Sequence, residues 1–153
     1  MDDFDYKILT CLQRDASQSV AEIAERIGLS PTPCWRRIRN LEKAGVIKSR
    51  VALLDRDALG LGTTVFVAVR TREHTQSWLD SFARVVNGFP EVVEFHRMSG
   101  DVDYLMKVVV SDIAAYDQFY KRLIAAIPLS DVSSSFAMEE IKCTTSLPLP
   151  PTR

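Results

Sequence analysis

The chain has 153 residues, of which 46% are hydrophobic and 25% are charged, and its formal net charge is −1. This composition is ordinary for a globular protein of one large or two small domains, and the sequence contains no low-complexity run. The start, Met1-Asp2-Asp3, lacks the basic and apolar parts of a signal peptide, and no apolar stretch approaches the length of a membrane span. We therefore expect a cytoplasmic protein without membrane association.

The first predicted helix runs from Asp2 to Arg14, with Asp2 as its N-cap and further acidic residues in the first turn. We expect it to support the two helices that follow. Its inward-facing apolar residues are Phe4, Ile8, Leu9 and Leu12.

A pair of short helices is predicted between Ser17 and Gly45. Ser19 and Glu22 have the spacing of a capping box, and the apolar residues that follow recur at helical spacing. Gly28 suits the left-handed conformation that ends many helices. Ser30 can cap a second helix, in which Pro31 takes the first position. The pattern predicts a helix-turn-helix.

The second helix of this pair has an apolar side formed by Cys34, Ile38 and Leu41, so polar and basic residues are expected on its other side. Arginine can donate two hydrogen bonds to guanine and asparagine can pair with adenine, whereas phosphates require only positive charge. This face suits the major groove of double-stranded DNA. The predicted DNA-binding residues are Ser30, Thr32, Pro33, Arg36, Arg37, Arg39, Asn40, Lys43 and Lys48.

The distribution of charge supports this interpretation, because residues 1–50 hold nine Lys or Arg against seven Asp or Glu. Residues 51–153 hold ten against thirteen, so the basic excess is confined to the predicted helix-turn-helix. The alternative is that the basic residues form the solvated face of an ordinary surface helix.

After Gly45 the pattern becomes extended, and Val46 to Leu54 is a candidate wing or linking strand. The acidic and glycine-containing stretch 55–62, DRDALGLG, reads as a hinge. The sequence thus predicts a helix-turn-helix domain over residues 1–54, a hinge over 55–62 and a second domain over 63–153.

The second domain is predicted to be an α+β, ferredoxin-like βαββαβ domain with an antiparallel sheet and both helices on one face. Its other sheet face requires a cover, and a second subunit would supply one, so we expect a homodimer. The predicted strands are Thr64 to Thr71, Val92 to Met98, Tyr104 to Val110 and Val132 to Lys142, and the helices begin at Thr75 and Asp112.

No metal or catalytic site is predicted. The histidines His74 and His96 and the cysteines Cys11, Cys34 and Cys143 are dispersed, and their spacings fit neither zinc ligation nor a disulfide framework. Cys11 and Cys34 read as small buried apolar residues. An enzyme and a metal-sensing repressor remain alternatives without a supporting set of residues.

Several motifs in this order resemble the Lrp/AsnC family of bacterial and archaeal feast/famine regulators. They are SPTPCWRRIRNLEKAGVI, the GLG of the hinge, SGDVDYL, and SSFAMEEIKCTTSLPLP, and the resemblance covers about Asp2 to Pro148. TPCW, ALLD and YDQFYKRL are most similar to the branch that contains a cysteine-responsive regulator of cysteine detoxification, and less similar to branched-chain amino-acid regulators.

The resemblance implies a winged helix-turn-helix domain, a C-terminal domain of the RAM type, and dimers that assemble into octamers. It also implies no cofactor but a small amino acid effector, with cysteine, leucine or methionine as candidates, bound near the turn between the second and third strands. A turn offers backbone amides to an α-carboxylate, and aspartates can accept an α-ammonium group. The corresponding residues are Met98, Gly100, Asp101, Asp103, Tyr104, Ser133, Ser134 and Ser135.

Two alternatives remain at this stage. The Gly100-Asp101 pair can be a simple hairpin turn, with the serines on an ordinary sheet surface. The whole protein can also be a nucleoid-like architectural DNA-binding protein that is insensitive to effectors, and such a protein would prefer DNA shape over sequence.

Overall fold

The computed structural model describes residues 1–150, which belong to two units. The first unit contains Met1–Leu53 and the segment that begins at Lys142, and the second contains Leu54–Ile141. The predicted boundaries differ from this division, because they placed the C-terminal segment in the second domain. In the first unit Leu149 packs on the hydrophobic core, and the Leu147 N–H donates to Gln13 Oε1 at 2.6 Å.

The first unit contains three helices, α1 (Asp3–Arg14), α2 (Val20–Ile27) and α3 (Pro31–Lys43). Two of them begin with reciprocal capping boxes, Asp2 with Asp5 and Ser19 with Glu22. Gly28 has φ 74°, so the left-handed turn between α2 and α3 is present as predicted. The buried core residues are Ile8, Leu9, Cys11, Ile23, Ala24, Cys34, Ile38 and Leu41.

Two local expectations for this unit differ from the structure. Ser30 lies at the N-cap of α3, but its side chain makes no capping hydrogen bond. The physical reason is that Pro33 occupies the third helical position and has no N–H to donate. Residues 46–54, the candidate wing or linking strand, contain no β-strand and follow an irregular path.

The second unit has the predicted βαββαβ order. Its strands are β1 (Thr63–Arg70), β2 (Val92–Arg97), β3 (Tyr104–Val110) and β4 (Asp131–Phe136), and its helices are α4 (Gln76–Asn87) and α5 (Ile113–Ala126). The strands form one antiparallel sheet in the order β2-β3-β1-β4. The fold class, α+β with a ferredoxin-like domain, is confirmed.

Strand β4 is shorter than predicted, because it ends at Phe136 and not at Lys142. Phe136 pairs with Val65, and the Ala137 N–H makes a further bond to Thr64 O at 2.9 Å. The partner strand β1 begins at Thr63, so it has almost no residues before Val65 with which a longer β4 could pair.

The two faces of the sheet have different environments. Val65, Val67 and Val69 of β1 are buried in one core with Phe82 of α4 and Phe119 of α5, so both helices cover the same face. Residues that alternate with these valines point to the other face, where Phe66 is 40% exposed. This second face, which we call the open face, includes Phe66, Ala68, Leu105, Lys107, Glu94, His96, Ser133 and Ser135.

Candidate DNA interface and effector turn

Helix α3 presents a polar and basic face away from its buried residues. Successive side chains rotate by about 100° around a helix, so the positions opposite Cys34 and Leu41 point to solvent. Of the predicted DNA-binding residues, those exposed in the structure are Ser30, Thr32, Arg36, Arg39, Asn40, Lys43 and Lys48, while Pro33 is half-buried.

Arg37 does not lie on this exposed face, so its predicted position opposite the core is wrong, while a role in DNA binding stays a prediction. Its guanidinium pairs with Asp5 at 2.8 Å and with Asp2 at 2.8 Å, and it lies 5.6 Å from the ring centroid of Phe4. Arg37 is about 60° around the helix from the buried Cys34, so it lies at the edge of the apolar face of α3.

The electrostatic environment of Arg37 agrees with a structural contact between α1 and α3. The hydrogen bond to Asp5, followed by that to Asp2, raises the pKa of the Arg37 guanidinium above its usual value. The Asp5 backbone N–H, together with Arg37, lowers the pKa of the Asp2 carboxyl below its usual value. Ion pairs with both acids therefore hold Arg37 against α1.

A second group of contacts runs along the exposed side of α3. Arg39 donates to Glu42 at 3.2 Å, and Arg50 donates to the other carboxylate oxygen of Glu42 at 3.2 Å. The guanidinium carbon of Arg39 lies 5.9 Å from the ring centroid of Trp35. Glu42 thus orients two basic side chains, of which Arg39 lies beside the exposed indole of Trp35. The sequence analysis did not include Trp35 among the DNA-binding residues.

The turn between β2 and β3 spans residues 98–103. It is closed by a hydrogen bond from Met98 N–H to Asp103 O at 2.8 Å, and Gly100 adopts φ 105°, a conformation that favours glycine. Within the described residues, the four intervening amides, 99 to 102, make no hydrogen bond to protein atoms. Consecutive N–H groups without a protein acceptor are the donors that an anion-binding turn requires.

Asp103 has a role in holding this turn in place. Its carboxylate accepts from the Thr71 N–H at 2.8 Å and lies 4.0 Å from His74 Nδ1, and its own N–H donates to Val69 O at 3.1 Å. Asp101 differs, because only its backbone oxygen is used, accepting from Arg70 Nε at 2.7 Å. Of the two aspartates predicted to receive an α-ammonium group, Asp101 has the available carboxylate.

Tyr104 and Met98 are in different environments, although both were predicted to bind the effector. Tyr104 is buried in an aromatic cluster, with its ring centroid 5.2 Å from Phe82 and 5.7 Å from Trp78. Met98 is 42% exposed at the base of the turn. Tyr104 is therefore a core residue beside the turn, and its part in effector binding stays a prediction.

The three serines of β4 do not form one polar set, as the prediction required. Side chains alternate between the faces of a strand, so Ser134 points toward α5, where its hydroxyl bonds that of Tyr116. Burial raises the pKa of the Tyr116 hydroxyl above its usual value. Ser133 and Ser135 lie on the open face beside Ala68 and Phe66, their partners in β1.

The sequence analysis missed the residues of β1, of the loop that follows it and of β4 that surround the turn. Arg70 bonds the turn and pairs with Asp131 at 3.2 Å, and Thr71 and His74 contact Asp103. The predicted strand order could have placed these residues next to the turn. Because β1 and β3 are antiparallel neighbours, the C-terminal end of β1 lies beside the turn that precedes β3.

Other site classes find no support in the described part of the chain. Among residues 1–150, no group of three or more His, Cys, Asp or Glu is arranged to hold a metal ion. None of the described helices is long and apolar enough to cross a membrane. The three cysteines are unpaired, with Cys11 and Cys34 buried and Cys143 exposed.

The fold and its two sites define a class of protein, a DNA-binding transcriptional regulator with a helix-turn-helix unit and a separate ligand-binding unit. Residues 64–147 match the family model described as the Lrp/AsnC ligand binding domain, and residues 1–48 match that of a winged helix-turn-helix DNA-binding domain. The chain belongs to the Lrp/AsnC family of transcriptional regulators, so the family suggested by the sequence motifs is confirmed.

Similar proteins cover almost the whole chain. The chain is 56% identical to the glutamate uptake regulatory protein of Zymomonas mobilis, over 99% of this chain and 93% of that protein. It is 50% identical to the DNA-binding transcriptional activator DecR of Escherichia coli, over 97% and 99%. An AsnC family transcriptional regulator from Agrobacterium tumefaciens has a similar structure, with a TM-score of 0.94, 61% identity and 97% of each chain covered.

A regulator from Neisseria meningitidis, solved as its L-Met complex, is also similar in structure. Its TM-score is 0.92 and its identity 37%, with 97% of this chain and 96% of that chain covered.

Proposed function

We propose that this regulator binds an amino acid at the β2–β3 turn and that the bound amino acid changes its affinity for DNA. The observation that carries the proposal is the set of free amides at residues 99–102 beside the available carboxylate of Asp101. A zwitterion complements this pair of groups, because its carboxylate accepts from the amides and its ammonium donates to Asp101.

The chemistry of the turn also limits the side chain of the effector. Met98 lies half exposed at the base of the turn and offers an apolar contact. Cysteine, leucine and methionine, the candidates from the sequence, have small or apolar side chains that suit such a contact. The L-Met complex of the Neisseria regulator, which is 37% identical, supports an amino acid as the ligand class.

On the DNA side, we propose that Arg36 and Asn40 contact bases and that Lys43 and Lys48 contact phosphates. All four side chains are exposed in the structure, and the first two lie on the face of α3 that is turned away from the core. Arginine and asparagine have the donor geometry for guanine and adenine, and lysine supplies charge to the backbone.

We further propose a homodimer that covers the open face of the sheet, with assembly to an octamer as the expected higher state. Phe66 and Val93 of the sheet are 40% and 55% exposed, and the chain after β4 adds Met138 and Ile141, which are 96% and 90% exposed. Apolar surface of this extent is costly in water, and a second copy would remove it.

The test of effector binding uses the full-length protein and an Asp101→Asn variant, which keeps the size of the side chain and removes its charge. The matched control is Asp117→Asn, which alters an exposed aspartate of α5 whose partner within residues 1–150 is Lys121. Each protein is titrated with the twenty amino acids in a thermal-shift assay. An effector at 100 times its Kd should raise the stability of the wild type and the control by about 2.7 kcal/mol.

DNA binding is measured on the same proteins with duplexes that the wild type has enriched from a random library. We expect Asp101→Asn to bind these duplexes like the wild type but to lose the response to the effector. Typical coupling corresponds to about 1–3 kcal/mol, so the effector should change the Kd by roughly 5- to 150-fold. A wild type that responds to no amino acid would contradict the effector proposal and favour the architectural alternative.

A further inference from the structure

Trp35 is the one large hydrophobic side chain of α1, α2 and α3 that is strongly exposed, at 54%. It directly follows Cys34, which is fully buried, so the indole leaves the core within one residue of the helix. It is also one of only two tryptophans in the chain. The packing of the first unit does not account for an indole at this position.

The surroundings of Trp35 are those of a groove-facing surface. Arg39 follows it at i+4, on the same side of α3, and stacks its guanidinium against the indole at 5.9 Å. Glu42 fixes this arginine through a hydrogen bond of 3.2 Å. The flat indole of Trp35 therefore lies beside the guanidinium of Arg39, whose orientation Glu42 fixes.

From this geometry we infer that Trp35 is a specificity-determining residue that contacts the C5-methyl group of thymine in the major groove. The thymine methyl is the apolar feature by which a base pair is recognised in that groove, and an apolar side chain reads it by contact. Arg39 then contributes charge toward the phosphate backbone next to the base that Trp35 touches. This inference rests on DNA binding by the first unit.

The test compares duplexes enriched by the full-length protein from a random library with the same duplexes carrying deoxyuridine for thymidine. This exchange removes the C5-methyl group and leaves every hydrogen-bonding group of the base in place. The wild type should bind the thymidine duplex more tightly by about fourfold for each methyl that it contacts, the effect of burying one such group. A Trp35→Ala variant should bind both duplexes equally.

Fluorescence gives an independent readout that needs no Trp35 variant. Trp78→Phe replaces the other tryptophan, a 9% exposed residue of the second unit, with an aromatic residue of similar packing and leaves Trp35 as the sole indole. Addition of the thymidine duplex should shift the emission to shorter wavelength and protect it from acrylamide. Unchanged emission at saturating duplex would overturn the inference.

The outcomes separate this inference from the proposed function. Equal binding of both duplexes by the wild type, or the same discrimination in Trp35→Ala, would overturn the role of Trp35 and leave DNA binding intact. An equal loss of affinity for both duplexes in Trp35→Ala would also overturn it, since it would indicate a contact to sugar or phosphate. Failure of the wild type to enrich any duplex from the library would contradict the proposed function itself.

Discussion

Arg36 and Arg37 are adjacent arginines of α3, and their separate replacement by alanine should affect different properties. Arg36→Ala should lower the affinity for DNA, whereas Arg37→Ala should lower the stability of the first unit. Arg36 is exposed and makes no ion pair within the described residues, so Arg36→Ala should leave stability unchanged. If Arg36 reads a guanine, its loss should cost about 1–3 kcal/mol of DNA-binding free energy, or roughly 5- to 150-fold in Kd. The effect should be concentrated at one base pair.

Arg37→Ala should act on the stability of the first unit. Its partner Asp5 is only 15% exposed while Arg37 is 30% exposed, so their pair at 2.8 Å is partly shielded from water. A charge-assisted hydrogen bond in such a setting contributes about 1 kcal/mol after discounting for solvent screening. For a domain of this size, 1 kcal/mol corresponds to a fall in Tm of about 4–8 °C.

The assay is thermal unfolding by circular dichroism together with fluorescence anisotropy of labelled duplexes, for both variants and the wild type. The charge removed is the same in each variant, so a non-specific electrostatic effect on DNA affinity should be equal in the two. If Arg37→Ala unfolded like the wild type and lost as much sequence preference as Arg36→Ala, the assignment of Arg37 to the contact with α1 would be refuted.

Two further predictions concern the stability of each unit. The Ser19 cap lowers the pKa of Glu22 below its ordinary 4.5, so the stability from this carboxylate is present above that pH and is lost as the pH falls through the lowered value. Glu22→Gln should weaken this acid dependence, as measured by unfolding at a series of pH values; an identical pH profile would contradict the capping role. In the second unit, Phe82 is fully buried against the rings of Trp78 and Tyr104, so Phe82→Ala should cost about 3–5 kcal/mol in denaturant unfolding. A loss below about 1 kcal/mol would contradict the central place of this ring in the core.

The features that the sequence predicted well depend on local backbone chemistry. The Ser19 and Glu22 capping box, the left-handed Gly28 and the βαββαβ order were all readable, because each depends on residues a few positions apart. The exposed face of α3 followed from the periodicity of its buried residues. Arg37 was misplaced because a position at the edge of an apolar face can turn either toward DNA or toward a neighbouring acid.

The effector turn shows where sequence reasoning reaches its limit. SGDVD predicted a turn and two acids, but which acid is free depends on Thr71, which lies 32 positions before Asp103 in the chain. The serines of β4 were grouped by adjacency, whereas a strand sends neighbours to opposite faces. A tertiary partner therefore decided which aspartate is free, whereas the alternation of the serines was predictable from the strand itself.

The C-terminal segment packs with the first unit, so the stability of the first unit depends on the folding of the second. The second unit is inserted between two pieces of the first, since Leu54–Ile141 separates α3 from the segment that contains Leu147 and Leu149. When the second unit is folded, its ends are fixed and the tail has a high effective concentration near α1. Unfolding of the second unit turns it into a long flexible loop, and closing such a loop costs entropy. A chimaeric regulator that exchanges only residues 1–53 would pair a foreign DNA-binding unit with the original tail, so an intact exchange must carry both pieces.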